Sequence, residues 1–451
     1  MFNSIRILFL LVLVFLGTVL LLGSQQVFAE EVQDASSLTK AANEAVNLDD
    51  NITAQDLGIN EPKLLPSHPL YFIKNLKRGI WSFFTRDPIK KAELNLKFAN
   101  ERLVEIKKMV ASDKSEKSLQ ALEKYQKEIE RLEKRTERIK PKNKNKLKFK
   151  QFLRKLVDNS IKQQKLLDEL EEQLPSQYYQ PIKRTKKAAL EKVVESSLKT
   201  ASTEEFGSIL EKTLEQQKGS NLKHIRNLEI LKRVEEQAPE EAKEAIRKAQ
   251  SNVLKRFRRE IIKMPKEKKP IIEKYIENIN GNKARQLEIL SELEDKEMSS
   301  SDYEMIKQAK KKAIERIRMR LKKLKDDRAK EEYLKPLEKG GIEELKAMEE
   351  LKENVTSNSE IMPYIIKAKK RAMGKFQKNL EQMKSEREKA EFLNKIEKKA
   401  DIKMLDVLEE IRKAAPPRKR ALLEEAKKRA RQGIEKQDKA TKMKKALKHV
   451  K

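Results

Sequence analysis

The 451-residue chain has no cysteine, so neither a disulfide framework nor thiolate chemistry is open to it. Glycine is scarce, at 11 residues, and aromatics make up only 5%. No β-branched, glycine-punctuated runs of the kind large sheets need are present, which argues against a compact α/β enzyme. There are three histidines, His68, His224 and His449, far apart and never at helical i+3 or i+4 spacing from one another, so a histidine-based metal site is not expected. A G-x-S-x-G elbow, a Gly-rich phosphate loop and an Asp-rich calcium loop are all missing. No catalytic, cofactor-binding or metal-binding residue can be nominated, and the expected class is non-enzymatic. Beyond the first residues, no segment is apolar enough to span a membrane.

What is abundant is charge. Charged residues make up 39% of the chain, and the formal net charge is +31. Such a composition suits long, solvent-rich helices, and such a field attracts anionic partners. At the N-terminus, Arg6 is the only charge before Glu30, and Ile7 to Leu22 is an apolar run holding Gly17 and Thr18. Val27-Phe28-Ala29 then forms a small-residue cleavage site. Residues 1–29 read as an export signal cleaved after Ala29, with retention as an anchor the alternative; either way the remainder is expected outside the cytoplasm. In residues 30–62, eight carboxylates, Glu30 through Glu61, face a single Lys40. This stretch reads as a flexible acidic linker, the alternative being a tether that folds back on the basic body.

A different composition begins at Leu64. Leu65-Pro66-Ser67-His68-Pro69-Leu70-Tyr71-Phe72-Ile73-Lys74 is followed by Trp81, Phe83 and Phe84, and then by Asp87-Pro88-Ile89-Lys90-Lys91-Ala92-Glu93-Leu94. Ile73, Leu76, Ile80 and Phe84 recur at helical spacing, and Asp87-Pro88 supplies an N-cap and a first-turn proline for a new helix carrying Leu94, Phe98 and Met109. The five rings from Tyr71 to Phe84 are expected to pack onto the following helices as a local core. The alternative places them, with Lys74, Lys77 and Arg78, in a membrane interface. Over residues 64 to 150 this sequence resembles the "domain of unknown function 5667" family of exported prokaryotic proteins. The resemblance implies export and a helical hairpin, and carries no site residue with it.

From residue 221 the chain repeats itself. Ala249, Ala309, Ala368 and Ala426 recur at steps of 60, 59 and 58 residues. Around three of them runs one apolar stripe, with shared offsets of 0, 3, 7, 11, 15 and 18: Ile246 to Met264, Ile306 to Leu324, and Ile365 to Met383. These offsets average about 3.6 residues per step, the period of a straight helix. A shorter apolar element precedes each stripe (Leu228, Leu287, Met348, Leu405) and another follows it (Tyr275, Tyr333, Phe392). The expected fold is all-α: an elongated array of tandem three-helix units of about 60 residues after an N-terminal helical hairpin domain at 63–150. The units fall at 221–280, 281–340 and 341–399. A degenerate copy at 151–220 precedes them. A terminal one at 400–451 ends in a basic tail, with Asp438 and Thr441 in its last stripe positions.

Two basic runs are the candidate anion-binding residues. The first contains Lys142, Lys144, Lys146, Lys148 and Lys150; the second contains Arg418, Lys419, Arg420, Lys427, Lys428, Arg429 and Arg431. Either could neutralise a polyanion by counterion release, although only Phe149 and Phe152 offer rings for base stacking. The bland reading is a solvated helix face of alternating Lys and Glu. The leading functional reading is an exported structural or interaction protein of the cell envelope presenting a basic helical array. The alternative is an electrostatic binder of nucleic acid or acidic envelope glycans. An anionic polymer, a membrane surface or a protein remain open as partners, and no cofactor is expected.

Overall fold

The computed structural model describes residues 36–112, 117–139, 146–199, 201–294, 298–383, 385–399 and 401–449, which are helical with no strand among them. Residues 1–29, expected to be an export signal, lie outside the described residues, and no described helix is long and apolar enough to cross a membrane. Residues 36–50 form α1. Then come α2 (Tyr71–Phe84), α3 (Pro88–Ala111) and α4 (Ser118–Glu137), with α3 and α4 packed as a hairpin. The capping signal is used: Asp87 Oδ1 accepts from the backbone N of Ile89 at 2.8 Å and of Lys90 at 3.3 Å.

Helices α5 (Lys146–Gln173), α6 (Tyr179–Leu198) and α7 (Thr203–Gln216) lead into the tandem units. Those units are α8 (His224–Gln237), α9 (Glu240–Lys263) and α10 (Pro270–Asn278); α11 (Lys283–Leu293), α12 (Ser300–Lys323) and α13 (Asp327–Leu334); and α14 (Ile342–Glu353), α15 (Met362–Gln382) and α16 (Glu386–Lys399). Helices α17 (Ile402–Ala414) and α18 (Pro417–His449) close the series. The first helices of successive units, α8, α11, α14 and α17, stack on one another, and each long helix lies against the first helix of its own unit. The third helix of each unit packs on the long helix of the next, as α7 does on α9, α10 on α12 and α16 on α18. No unit therefore closes its own core.

The stripe is that core. Sixteen of its eighteen positions in α9, α12 and α15 and the residues just after them are buried, and the other two, Met264 and Met383, are partly buried. Small residues at its start, such as Ala309 and Ala313, let the neighbouring helix approach, and Ile317 or Phe257 then fills the space beyond. Contacts also join elements two units apart. Arg320 of α12 donates to the Glu171 carbonyl of α5 at 2.8 Å, and Lys183 of α6 donates to the Glu332 carbonyl of α13 at 3.0 Å. The array thus winds tightly enough for alternate units to touch.

The first helices are enclosed on all sides. Every residue from Ile225 to Lys232, from Lys283 to Ser291 and from Ile342 to Met348 is buried, including Arg226, Glu229, Lys232, Arg285, Glu288 and Lys346. Burial of such groups requires partners, and the partners come from neighbouring units. Lys232 of α8 reaches Glu288 and Glu292 of α11 at 2.9 and 2.8 Å; Lys310 of α12 reaches Glu350 of α14 at 2.8 Å; Lys346 of α14 reaches Asp401, the N-cap of α17, at 2.6 Å. An apolar stripe alone tolerates a slip of one turn. A slip here would strand these charges, so the pairs penalise the wrong register.

Residues 36–62 depart from the expected flexible linker. They contain α1, and its last acids are buried: Asp49 is 1% and Asp50 3% exposed. Asp50 accepts from Arg226 Nε at 2.9 Å and from the backbone N of Asn280 at 2.9 Å. Asp49 accepts from the backbone N and the hydroxyl of Ser220 at 2.6 and 2.7 Å and from the Tyr275 hydroxyl at 2.7 Å. Low hydrophobicity predicted disorder because a chain of this kind cannot bury enough apolar surface by itself. Here its acids find cations and donors inside the basic array, and Ala54, Leu57 and Ile59 join the core.

Candidate functional site

The predicted basic runs divide once the helices are placed. Lys142 and Lys144 lie outside the described residues, as does the side chain of Lys146. Lys148 is exposed, and Lys150 pairs with Glu205 at 2.8 Å. Phe149 and Phe152 are not available for stacking: both are buried, 6.2 Å apart between ring centres. In the tail, α18 buries Leu423, Ala426 and Ala430 against α16 and α17. Its first half is therefore not a free basic arm. Lys419 pairs with Glu381 at 3.0 Å, Arg429 with Glu397 at 3.0 Å, and Lys427 with Glu409, while Arg420 Nε donates to the Ala415 carbonyl at 3.1 Å. Arg418, Lys428 and Arg431 are exposed and have no ion pair among the described residues.

The charge balance of the interior bears on this surface. Among the described residues, twelve carboxylates and eleven cations are buried, so the interior nearly cancels. The excess of +31 therefore belongs to partly or fully exposed groups and to the segments outside the described residues.

Among the described residues, the histidines share no site. His68 Nδ1 accepts from the backbone N of Leu70 at 3.1 Å, a local turn contact. His224 packs beside Phe257, with ring centres 6.1 Å apart. The side chain of His449 lies outside the described residues. A cleft of about 1160 Å³ between residues 48–56, α5 and α7 is lined by both signs, among them Lys162, Lys165, Arg154, Asp56, Asp158 and Glu205, and no nucleophile–base pair stands in it.

Glu288, Glu292 and Glu344 come within metal-binding distance of one another. The Lys232 ammonium already bridges Glu288 and Glu292, and Arg285 and Lys339 also reach Glu288, at 2.8 and 3.1 Å. The cluster is an ion network, and a metal ion would be repelled by these three cations. Glu344 is the member left without a cation of its own. Burial, then the Glu288, Glu343 and Glu292 carboxylates, push its carboxyl up to about 7, although Lys395 of α16 lies nearby, bonded to Glu343 at 3.1 Å. Because the folded value lies above the ordinary 4.5, the folded chain keeps a proton that the unfolded chain releases. Stability is therefore greatest below the ordinary value and falls as pH rises through about 7. Glu344→Gln should remove this fall, which amounts to roughly 1–3 kcal/mol. Urea titrations of both proteins at about pH 5 and about pH 8.5 check it; equal pH dependence would show that Glu344 is ionised in the fold.

The aromatic helix α2 does not take the place its sequence predicts. The expected local core of Tyr71 to Phe84 does not form; only Tyr71 and Arg78 of α2 are buried. The helix sits on α3 by its polar face. Tyr71 donates to Glu105 at 2.5 Å, Lys74 pairs with Glu105 at 2.7 Å, Arg78 pairs with Glu101 at 2.6 Å and Glu105 at 3.0 Å, and Arg102 donates to Asn75 at 3.0 Å. Glu105, fully buried, is the centre of this cluster and went unrecognised, since one glutamate in a Lys/Glu-rich helix carries no signal. The apolar side chains of α2 face outward.

Residues 63–177 match the family described as Domain of unknown function (DUF5667). A solved structure described as "Circular tandem repeat protein with novel repeat topology and enhanced subunit contact surfaces" is similar at 13% identity, covering 84% of this chain and 77% of that chain, with a TM-score of 0.23. No curated protein matches the chain.

Proposed function

We propose that the chain is a non-enzymatic, exported component of the cell envelope that presents a basic helical array as a structural or interaction surface. The observation that carries this reading is the near-cancellation of charge in the interior, which leaves the surplus cations on the outside. Export is supported by the order of Arg6, the apolar run from Ile7 to Leu22 and Val27-Phe28-Ala29.

A second reading, electrostatic binding of an anionic polymer, is favoured by Arg418, Lys428 and Arg431, which no described carboxylate occupies. Cations already paired within the fold would have to give up a partner, whereas these three can neutralise phosphate or sulfate directly. Retention on DNA and on an acidic glycan should fall as salt rises, with little dependence on base sequence. The triple charge reversal Arg418→Glu, Lys428→Glu, Arg431→Glu should lower the slope of log affinity against log salt by about 3 or more. Salt-dependent retention that is unchanged in the triple variant would place the contact elsewhere. No retention of either protein at low salt would leave the surface charge a structural and solubility feature alone.

A further inference from the structure

We infer that α2 is a membrane-attachment element whose apolar face lies in the interfacial region of a bilayer containing anionic phospholipid. Phe72, Ile73, Leu76, Ile80, Phe83 and Phe84 form one side of α2, opposite Tyr71, Lys74, Asn75, Arg78 and Ser82 on the helical period. Phe83 is 80% exposed, Phe84 74% and Phe72 63%. A contiguous apolar face of this size marks an interaction site on a chain otherwise so polar. It does not result from loose packing of α2, because the opposite face is fixed by the Glu105 cluster. Rolling α2 over to hide the rings would turn Lys74 and Arg78 out to solvent and leave Glu105, which is 0% exposed, with only Arg102 of its own helix, at 3.5 Å, as a cation.

The rim of this face is positive. Lys77 and Lys97 both lie over the Trp81 ring, at 4.9 and 5.6 Å from its centre. Behind Phe83, a cleft of about 550 Å³ is lined by Arg78, Lys91, Arg102, Arg131 and Arg135, with Glu128 the single carboxylate among its lining residues. Arg102 is 6% exposed and its Nε has no hydrogen-bond partner. An amphipathic helix with aromatic residues toward the lipid and cations at the headgroup level is the chemistry of interfacial attachment to anionic membranes. A second copy of the chain suits the face less well. A symmetric pair would set Lys77 and Lys97 of one copy against the same positive rim of the other, between two bodies that each carry +31.

Trp81 is the only tryptophan, which makes the attachment directly readable. The full chain is incorporated into vesicles of neutral phospholipid and of neutral phospholipid with about 30% anionic phospholipid, some carrying brominated acyl chains. Trp81 emission should shift to the blue and be quenched by bromine in the anionic vesicles, and shift less in the neutral ones. Phe83→Asp with Phe84→Asp, and separately Leu76→Asp, should abolish the shift. Far-ultraviolet circular dichroism and thermal melting should remain unchanged, since all three side chains are exposed. An unshifted, unquenched Trp81 in anionic vesicles would overturn the inference. So would a shift that follows protein concentration and ignores lipid composition, which would identify a second copy as the occupant. Retention on soluble polyanions should not change in the α2 variants, so this inference and the polymer-binding reading fail separately.

Discussion

Replacing Arg226 by methionine should destabilise the protein by about 3–5 kcal/mol, a large fraction of the stability of an ordinary domain. The guanidinium is completely buried and joins three parts of the chain. Its Nε bonds Asp50 at the end of α1 at 2.9 Å, its Nη2 bonds Asp168 of α5 at 2.7 Å, and its Nη1 bonds Glu229 of α8 at 2.5 Å. Removing it leaves carboxylates buried without adequate compensation, although Arg233, 2.6 Å from Asp168, and Lys186 retain part of the balance. The fold has made room for this group at Gly281, whose φ of +106° already disfavours any other residue and where a Cβ would collide with the guanidinium and with Glu229. Urea unfolding measures the loss. Asp50→Asn added to Arg226→Met should recover part of it, because one stranded charge is then neutral. A loss within about 0.5 kcal/mol would show that water, and not Arg226, satisfies these carboxylates.

Phe257→Ala should cost about 3–5 kcal/mol, and Phe376→Ala a similar amount. The two rings hold the same stripe position in alternate long helices, α9 and α15, at 0% and 3% exposure. Phe257 packs beside His224 of its own unit, and Phe376 beside Phe392 of α16, with ring centres 5.8 Å apart. Ile317 fills the equivalent place in the unit between them. Because the units share cores with their neighbours, each cavity should weaken adjoining units as well, and hydrogen exchange should show faster opening in helices on both sides. Changes of less than about 0.5 kcal/mol in both variants would mean that the stripe is not the core.

The long-helix stripe was legible because it is local. A period of about 3.6 in apolar side chains needs no knowledge of the partner surface, and its recurrence at nearly 60-residue steps identifies the repeat. The cap at Asp87-Pro88 and the proline-aromatic segment of the N-terminal family were legible for the same reason. The charges were not. Lys and Glu occupy solvent faces so commonly that the buried run from Arg226 to Lys232 reads like any surface helix, and Asp50 and Arg226 are separated by 176 residues. Nothing in the local pattern around either one points to the other.

By itself, then, the amino-acid sequence determined the helices, their tandem order, their apolar faces and the surplus of positive charge. These depend on side-chain periodicity and composition, which hold for any arrangement of the helices. Only the tertiary structure decided that the acidic segment before the first domain inserts its acids into the array, that Lys419, Lys427 and Arg429 are taken up by helix packing while Arg418, Lys428 and Arg431 are left exposed, and that α2 turns its rings outward. Each of those outcomes depends on which opposite charge lies within about 4 Å across a packed surface, where pairing and desolvation nearly offset each other. That distance is a property of the assembled helices, and for α2 it was settled by Glu105, a buried carboxylate that draws the polar face in and leaves the apolar face out.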